Sequence, residues 1–261
     1  MIIEANGIGM NYELSGPQDA PIVVLSHSLG CSLEMWNPQI PLLEAHFRVL
    51  RYDTRGHGDT DAPEGPYTMP LLGEDALALL EVLGIDRVHW IGLSMGGMIG
   101  QYLALHHANR FRSLVLCDTA AKMPAEKQPE WQERMETARQ KGMEALVEAT
   151  MERWLTRSFL DQHPPELDRI RQQFLATPVN GYIGCTEAIR RIDFLDRLPE
   201  INFRTLVIVG EEDPATPVDA ARAIHERIAG SRMVVLPSAA HLSNVEQAEA
   251  FNRALLEFLQ S

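Results

Sequence analysis

A chain of 261 residues is long enough for one large α/β domain with a sizeable core and an insertion, and its 45% hydrophobic and 23% charged content excludes a disordered chain. The formal net charge of −13 argues against non-specific binding to nucleic acid or an anionic membrane, because the long-range field repels both; an anionic ligand would need that charge reversed locally by Arg or Lys. Cys31, Cys117 and Cys185 are too few and too scattered for a disulfide framework or a Cys-rich metal site, and with no signal-like start and no apolar run of spanning length a soluble, cytoplasmic protein is expected.

Residues 1 to 16 read as a β-hairpin in which Ile2 to Ala5 and an alternating stretch from Gly9 to Leu14 are joined at Asn6-Gly7. Pro21 to Ser26 and Arg48 to Asp53 are short apolar runs of the kind that form strands buried on both faces, with Trp36 to Ala45 as a crossover helix between them. Leu72, Ala76, Leu79, Leu80 and Leu83 share one stripe of a helix over Leu71 to Leu83, which Gly84 ends. A run of β-formers from Val88 stops at Gly92, a helix follows from Met95 to about Ala108, and Ser113 to Asp118 is the next strand. Thr205 to Gly210 and Arg232 to Pro237 give two more strands, and the last helix runs from about Val245 to Leu259. This alternation specifies an α/β fold, a mostly parallel central sheet with helices on both faces.

The rhythm breaks between about Ala121 and Asn202, where no strand pattern occurs. Trp131 to Gln140, Met143 to Leu155, Pro165 to Ala176 and Gly181 to Arg191 read as helices, separated by Gly142, His163-Pro164-Pro165 and Thr177-Pro178. Residues 121–202 are therefore expected to form a helical cap over the carboxyl edge of the sheet, inserted in a core made of 1–120 and 203–261.

Gly92-Leu93-Ser94-Met95-Gly96 fits G-x-S-x-G, in which glycines let a strand turn sharply into a helix and lift the serine above the sheet edge. A helix starting at Met95 aims its free N–H groups at that serine, making the Met95 N–H an oxyanion donor. The pattern alone is also that of a glycine-rich turn with a capping serine. A serine hydroxyl is a weak nucleophile without a base, and the base needs an orienting acid. Asp213 in the loop after Val209-Gly210 and His241 after Ala239-Ala240 stand after successive strands, in the order Ser, Asp, His expected of this motif, with Glu211 and Glu212 as neighbouring alternatives to the acid. No His/Cys/Asp/Glu cluster has metal spacing and no G-x-G-x-x-G opens a nucleotide unit, so no metal and no cofactor is expected.

On Gly92 to Gly96, Gly210 to Asp213 with Pro217 beyond, Ala239-Ala240-His241, and Ser26-His27-Ser28-Leu29-Gly30, the chain resembles the α/β-hydrolase family over nearly its whole length. The resemblance implies a Ser94, His241, Asp213 triad and a second oxyanion donor at the Leu29 N–H, in a loop where Ser28 replaces the usual glycine. It makes Tyr52-Asp53-Thr54-Arg55-Gly56-His57-Gly58 scaffold, with His27 structural and His57 retained as a site candidate. A serine nucleophile excludes the dehalogenase and epoxide hydrolase branches, which use a carboxylate there.

Leu25 to Gly30 through Met35-Trp36, Tyr52 to Gly58, Ile91 to Gly97, and Arg153-Trp154-Leu155-Thr156 with Gly181-Tyr182 to Arg190 are similar to the 3-oxoadipate enol-lactonase branch of the family. That resemblance implies opening of the lactone ring to 3-oxoadipate in the β-ketoadipate pathway through an acyl-enzyme, with a small anionic lactone as the partner. Arg134 and Arg153, beside Trp131 and Trp154, are then the candidates for holding the substrate carboxylate, although most cap arginines should be solvated and the tryptophans could equally pack helices. A general carboxylesterase or perhydrolase, or a ligand receptor on a hydrolase fold, stays open, as does a homo-oligomer.

Overall fold

Runs that are apolar on both faces can be buried only in the middle of a layered structure, and in a computed structural model describing residues 1–261 they form one eight-stranded sheet. In chain order the elements are β1 (Ile2–Ala5), β2 (Ile8–Ser15), β3 (Ile22–Ser26), α1 (Ile40–Glu44), β4 (Arg48–Tyr52), α2 (Met69–Val82), β5 (Val88–Leu93), α3 (Met95–His106) and β6 (Phe111–Cys117). Five helices follow, α4 (Gln128–Lys141), α5 (Val147–Trp154), α6 (Arg157–Gln162), α7 (Pro165–Ala176) and α8 (Val179–Ile189), before β7 (Thr205–Gly210), α9 (Val218–Arg227), β8 (Arg232–Leu236), α10 (Ser243–Glu246) and α11 (Ala248–Leu259). No helix is long and apolar enough to cross a membrane.

The strand order is β1-β2-β4-β3-β5-β6-β7-β8; β1 and β2 are antiparallel, β2 joins β4 antiparallel, and all later pairings are parallel. Because β3 lies between β4 and β5, the winding direction reverses there, which opens a crevice at the carboxyl ends of β3 and β5. Leu29 and Ser94 follow those two strands. Asn6 and Gly7 both take positive φ, as the hairpin turn demands.

The helical segment after β6 is anchored to the rest by close backbone approach and by aromatic packing. A Cβ on Gly181 of α8 would meet the Gly56 carbonyl oxygen at 2.0 Å, so this crossing tolerates only hydrogen. Phe174 packs edge-on against Trp154 and Tyr182, with ring centroids 5.6 and 5.9 Å apart. The two ends of the segment meet in a β-bridge between Lys122 and Asp193.

Several boundaries differ from the sequence reading for identifiable reasons. The single helix expected over Trp36 to Ala45 is a 3₁₀ stretch, Leu33–Gln39, leading into α1, since Pro38 and Pro41 remove two N–H donors. Met143 to Leu155 likewise begins as a 3₁₀ turn before α5, and Val245 to Leu259 is divided at Gln247, whose backbone leaves the helical region. The six-residue α6 is too short to show a period; Thr156 starts it by accepting the Phe159 N–H on its Oγ at 3.2 Å.

One buried ion pair binds the loop after β4 to α2. Arg55 donates from Nε and Nη2 to Asp75 at 2.6 Å each, and Asp75 also accepts from Asn6 Nδ2 at 2.6 Å. The hydrogen bonds to Asp75 hold the guanidinium above its ordinary pKa. Replacing Asp75 by Ala strands the Arg55 charge among apolar groups, and chemical denaturation should show a loss of about 3–5 kcal/mol; a loss below about 1 kcal/mol would mean that the pair is not what fixes this loop.

Candidate active site

The turn at Ser94 follows from contacts that allow no side chain. A Cβ on Gly92 would lie 2.1 Å from the Gly96 carbonyl oxygen, and one on Gly96 would lie 2.0 Å from that of Ser26. The chain can therefore double back against β3 only with glycine at both positions. Ser94 itself takes φ 53° and ψ −113°, an arrangement that costs about 1–3 kcal/mol unless its surroundings impose it. They do: the Ser94 N–H donates to the Cys117 carbonyl at 2.8 Å, and Thr119 Oγ1 donates to the Ser94 carbonyl at 2.7 Å.

Asp213 and His241 meet although 28 residues apart, with His241 Nδ1–H donating to Asp213 Oδ2 at 2.9 Å. Asp213 also accepts the Ala215 and Thr216 N–H groups on Oδ1 at 2.8 and 3.1 Å and the Thr216 hydroxyl on Oδ2 at 2.7 Å. Burial would raise the carboxyl pKa, but the neighbouring His241 and these donors outweigh it and bring the group below its ordinary value. Glu211 and Glu212 are exposed and make no bond to His241, so the geometry separates Asp213 from its two alternatives. With Nδ1 engaged, Nε2 is the nitrogen left to take a proton. Ser94 and His241 line the same cavity without a hydrogen bond between them; such contacts often tighten only around a substrate.

The Leu29 loop is held by two neutral imidazoles. His27 donates from Nδ1 to the Ser28 carbonyl at 2.7 Å and accepts the Thr54 N–H on Nε2 at 2.9 Å, while His57 Nε2 accepts the Gly30 N–H at 2.9 Å. Burial lowers the pKa of both, that of His57 to about 3 with a smaller push from His27. His57 therefore braces the loop from behind and does not line the cavity, which corrects its standing as a site candidate. Around the loop the Gly30, Cys31 and Gly96 amides are all engaged, whereas those of Leu29 and Met95 bond to no group of the protein. Two free amides flanking a serine at a helix N-terminus can hold a developing oxyanion. Asp53 and Arg55 tie loops together: Asp53 accepts the Leu33 N–H at 2.7 Å and the Asn11 amide at 2.8 Å.

Over Ser94 lies a cavity of about 320 Å³ whose far wall comes from the helical segment. Trp131, Arg134, Arg153 and Trp154 all line it, as do Lys122 and Lys127, against one carboxylate, Glu130. Lys122 is paired with Asp193 at 3.0 Å and Lys127 with Glu130 at 3.3 Å. Arg134 donates to the Tyr182 hydroxyl at 2.9 Å and stacks over Trp131 at 4.2 Å, and Arg153 donates to Thr150 Oγ1 at 3.3 Å; neither has a carboxylate partner. Burial, and then the charge of Arg134, push the Arg153 pKa down to about 10, so it remains cationic at neutral pH while poorly solvated. A protein of net charge −13 thus places two arginines that are not salt-bridged to a carboxylate in the same cavity as Ser94, with Glu130 as the one acidic residue of the lining. Thr216, Lys122 and Lys127 belong to this site but carry no sequence motif; the one signal for Thr216 was its place three residues after Asp213.

A family profile described as "alpha/beta hydrolase fold" matches residues 21–248. The chain is 38% identical to 3-oxoadipate enol-lactonase 2 of Acinetobacter baylyi over 253 residues, 97% of this chain and 94% of the relative. It is 35% identical to 3-oxoadipate enol-lactonase 1 of the same organism, over 100% of this chain and 97% of the relative. Among solved structures, the enol-lactonase from Burkholderia xenovorans LB400 superposes with a TM-score of 0.97 at 42% identity, covering 100% of both chains. The chain belongs to the α/β hydrolase family. It is an enzyme of the hydrolase class.

The buried imidazoles make stability depend on pH in a defined direction. His27, His57 and His89 all have lowered pKa values, about 3 for His57 and about 4 for His89, so the unfolded chain takes up protons near pH 6.5 that the folded chain refuses. Their contribution is fully present above about pH 6.5 and is lost as pH falls towards 4 and 3, with a slope approaching about 1.4 kcal/mol per pH unit for each histidine. Urea titrations at pH 7.5, 6 and 5 should show this decline, and His57→Gln should flatten it; unfolding free energies constant from pH 7.5 to 5 would contradict the neutral imidazoles.

Proposed function

We propose that this chain hydrolyses 3-oxoadipate enol-lactone, the lactone for which its Acinetobacter baylyi relatives are named, to 3-oxoadipate, a step of the β-ketoadipate pathway. The observation that carries the reading is the pairing, within one cavity, of Ser94 and His241 with Arg134 and Arg153, two guanidinium groups that lack a carboxylate. Relatives 38% and 35% identical, both named for this lactone and covered almost end to end, support it.

In this reading the carboxylate of the lactone lies against Arg153 and Arg134, and Trp131 and Trp154 enclose its apolar ring. His241, oriented by Asp213, takes the Ser94 proton as Oγ attacks the lactone carbonyl carbon. The carbonyl oxygen becomes the oxyanion, held by the Leu29 and Met95 N–H groups. Collapse breaks the ring bond between that carbon and the enol oxygen, leaving an acyl-enzyme. The departing enolate is stabilised by resonance and stays tethered to the acyl chain; the proton that His241 took from Ser94 passes to it, giving the ketone and leaving His241 neutral for the second half-reaction. Water, losing its proton to His241, attacks the acyl carbon and releases 3-oxoadipate with its second carboxylate, while Ser94 regains its proton. No metal or redox cofactor enters these steps.

Ser94→Ala should lower kcat on the enol-lactone by roughly 10⁴-fold or more with unchanged unfolding, as loss of a serine nucleophile does elsewhere; turnover within about tenfold of wild type would remove Ser94 from the mechanism. Arg153→Gln should reduce kcat/KM by about 10–100-fold, chiefly through KM, because it leaves a substrate carboxylate buried without its cation. An unchanged KM would show that the anion is held elsewhere.

A further inference from the structure

One carboxylate outside the triad ties the anion-holding wall of the cavity to the loop that carries the base. Glu246, the last residue of α10, accepts both the Thr156 N–H at 2.8 Å and the Thr156 hydroxyl at 2.7 Å on Oε1, and the Ala240 N–H at 2.7 Å on Oε2. A further bond runs alongside, from the Leu242 N–H to the Trp154 carbonyl at 3.1 Å. Ala240 immediately precedes His241, and Thr156 stands three residues after Arg153. Thr156 and Ala240 are both buried, and no cation pairs with Glu246. A carboxylate engaged by three donors and no counter-ion has its geometry set by those donors, so it fixes the distance between them.

We infer that Glu246 is a positioning residue that sets the reach between Arg153 and His241, and so selects substrates whose carboxylate and scissile carbonyl are separated by that distance. The inference rests on the proposal that Arg153 holds the substrate carboxylate. The base does not need Glu246 for its own placement: His241 is bonded to Asp213, and the Glu212 N–H holds the Ala239 carbonyl at 2.9 Å. Loosening the clasp should therefore let α5 and its arginine drift while leaving His241 in register with Ser94. Glutamine at position 246 keeps an oxygen for Thr156, but its amide end cannot accept from Ala240, so Glu246→Gln opens the clasp on the side of the base.

The test compares kcat/KM on 3-oxoadipate enol-lactone with kcat/KM on p-nitrophenyl acetate, which has no carboxylate to place. Glu246→Gln should reduce the first by about tenfold, mainly through KM, and the second by less than about twofold, since misplacement of a bound group penalises only the substrate that uses it. In an Arg153→Gln background the same change should cost the lactone less than about twofold, because the two residues act through one contact. Thr156→Ala opens the clasp from the other side and should reproduce the selectivity loss if the glutamine variant folds poorly. Equal losses on both substrates, or none on either, would overturn the inference and leave Glu246 as a brace. An Arg153→Gln enzyme that keeps the wild-type KM for the lactone would instead defeat the carboxylate assignment beneath it, and is read without any change at Glu246.

Discussion

The approach of three backbone segments at the switch point of the sheet is the constraint on which the site depends. Gly96 lies so close to the Ser26 carbonyl, and Gly92 to the Gly96 carbonyl, that a side chain at Gly96 would drive α3 away from β3 and one at Gly92 would drive β5 away from α3. That contact forces the positive φ of Ser94 and brings the Met95 amide beside the Leu29 loop. Strain in the turn is balanced by the Ser94 N–H bond to Cys117 and the Thr119 bond to the Ser94 carbonyl, so the ends of β5 and β6 are coupled through the residue they present.

Around this turn the acid and the two bracing imidazoles are each held by several partners, although Ser28 Oγ and Thr54 Oγ1 are buried without one. Asp213 receives four donors, and His27 and His57 each take a backbone amide on a nitrogen that must stay unprotonated. Asp118, at the end of β6, receives the Gly210 N–H at 2.8 Å and the Ser243 hydroxyl at 2.5 Å, which links the loop before Asp213 to the residue two after His241. Burial, with a smaller effect of nearby Asp213, raises the Asp118 pKa well above the usual carboxylate range. Rigid placement of the proposed nucleophile, base and acid is thus a property of the loops at one sheet edge. The helical segment contributes a different chemistry, two arginines that make no salt bridge to a carboxylate.

Strands buried on both faces, the hairpin turn at Asn6-Gly7 and the turn at Ser94 were legible because each depends on local residue chemistry: β-branched runs, an Asn-Gly pair, and glycines at fixed offsets. The pairing of Asp213 with His241 was legible only as chain order, and bond geometry separates Asp213 from Glu211 and Glu212. Arg134 and Arg153 could be named but not ranked, because a sequence does not reveal which helical arginines find a carboxylate; Arg190 and Arg171 do, Arg134 and Arg153 do not. The parts that sequence left silent are the long-range ones. Thr216 beneath the acid, Glu246 between wall and base, and the bracing role of His57 each depend on partners brought together by the sheet and not on spacing along the chain.

The account's central claim is that the cavity joins a serine to an anion-binding wall suited to one lactone. It is tested most directly by steady-state hydrolysis of freshly generated 3-oxoadipate enol-lactone and of p-nitrophenyl acetate by the same wild-type preparation. The account predicts a kcat/KM for the lactone within the range of efficient enzymes, about 10⁴–10⁸ M⁻¹s⁻¹, and at least about 100-fold above that for the neutral ester. Equal efficiency on the two, or negligible turnover of the lactone, would contradict it.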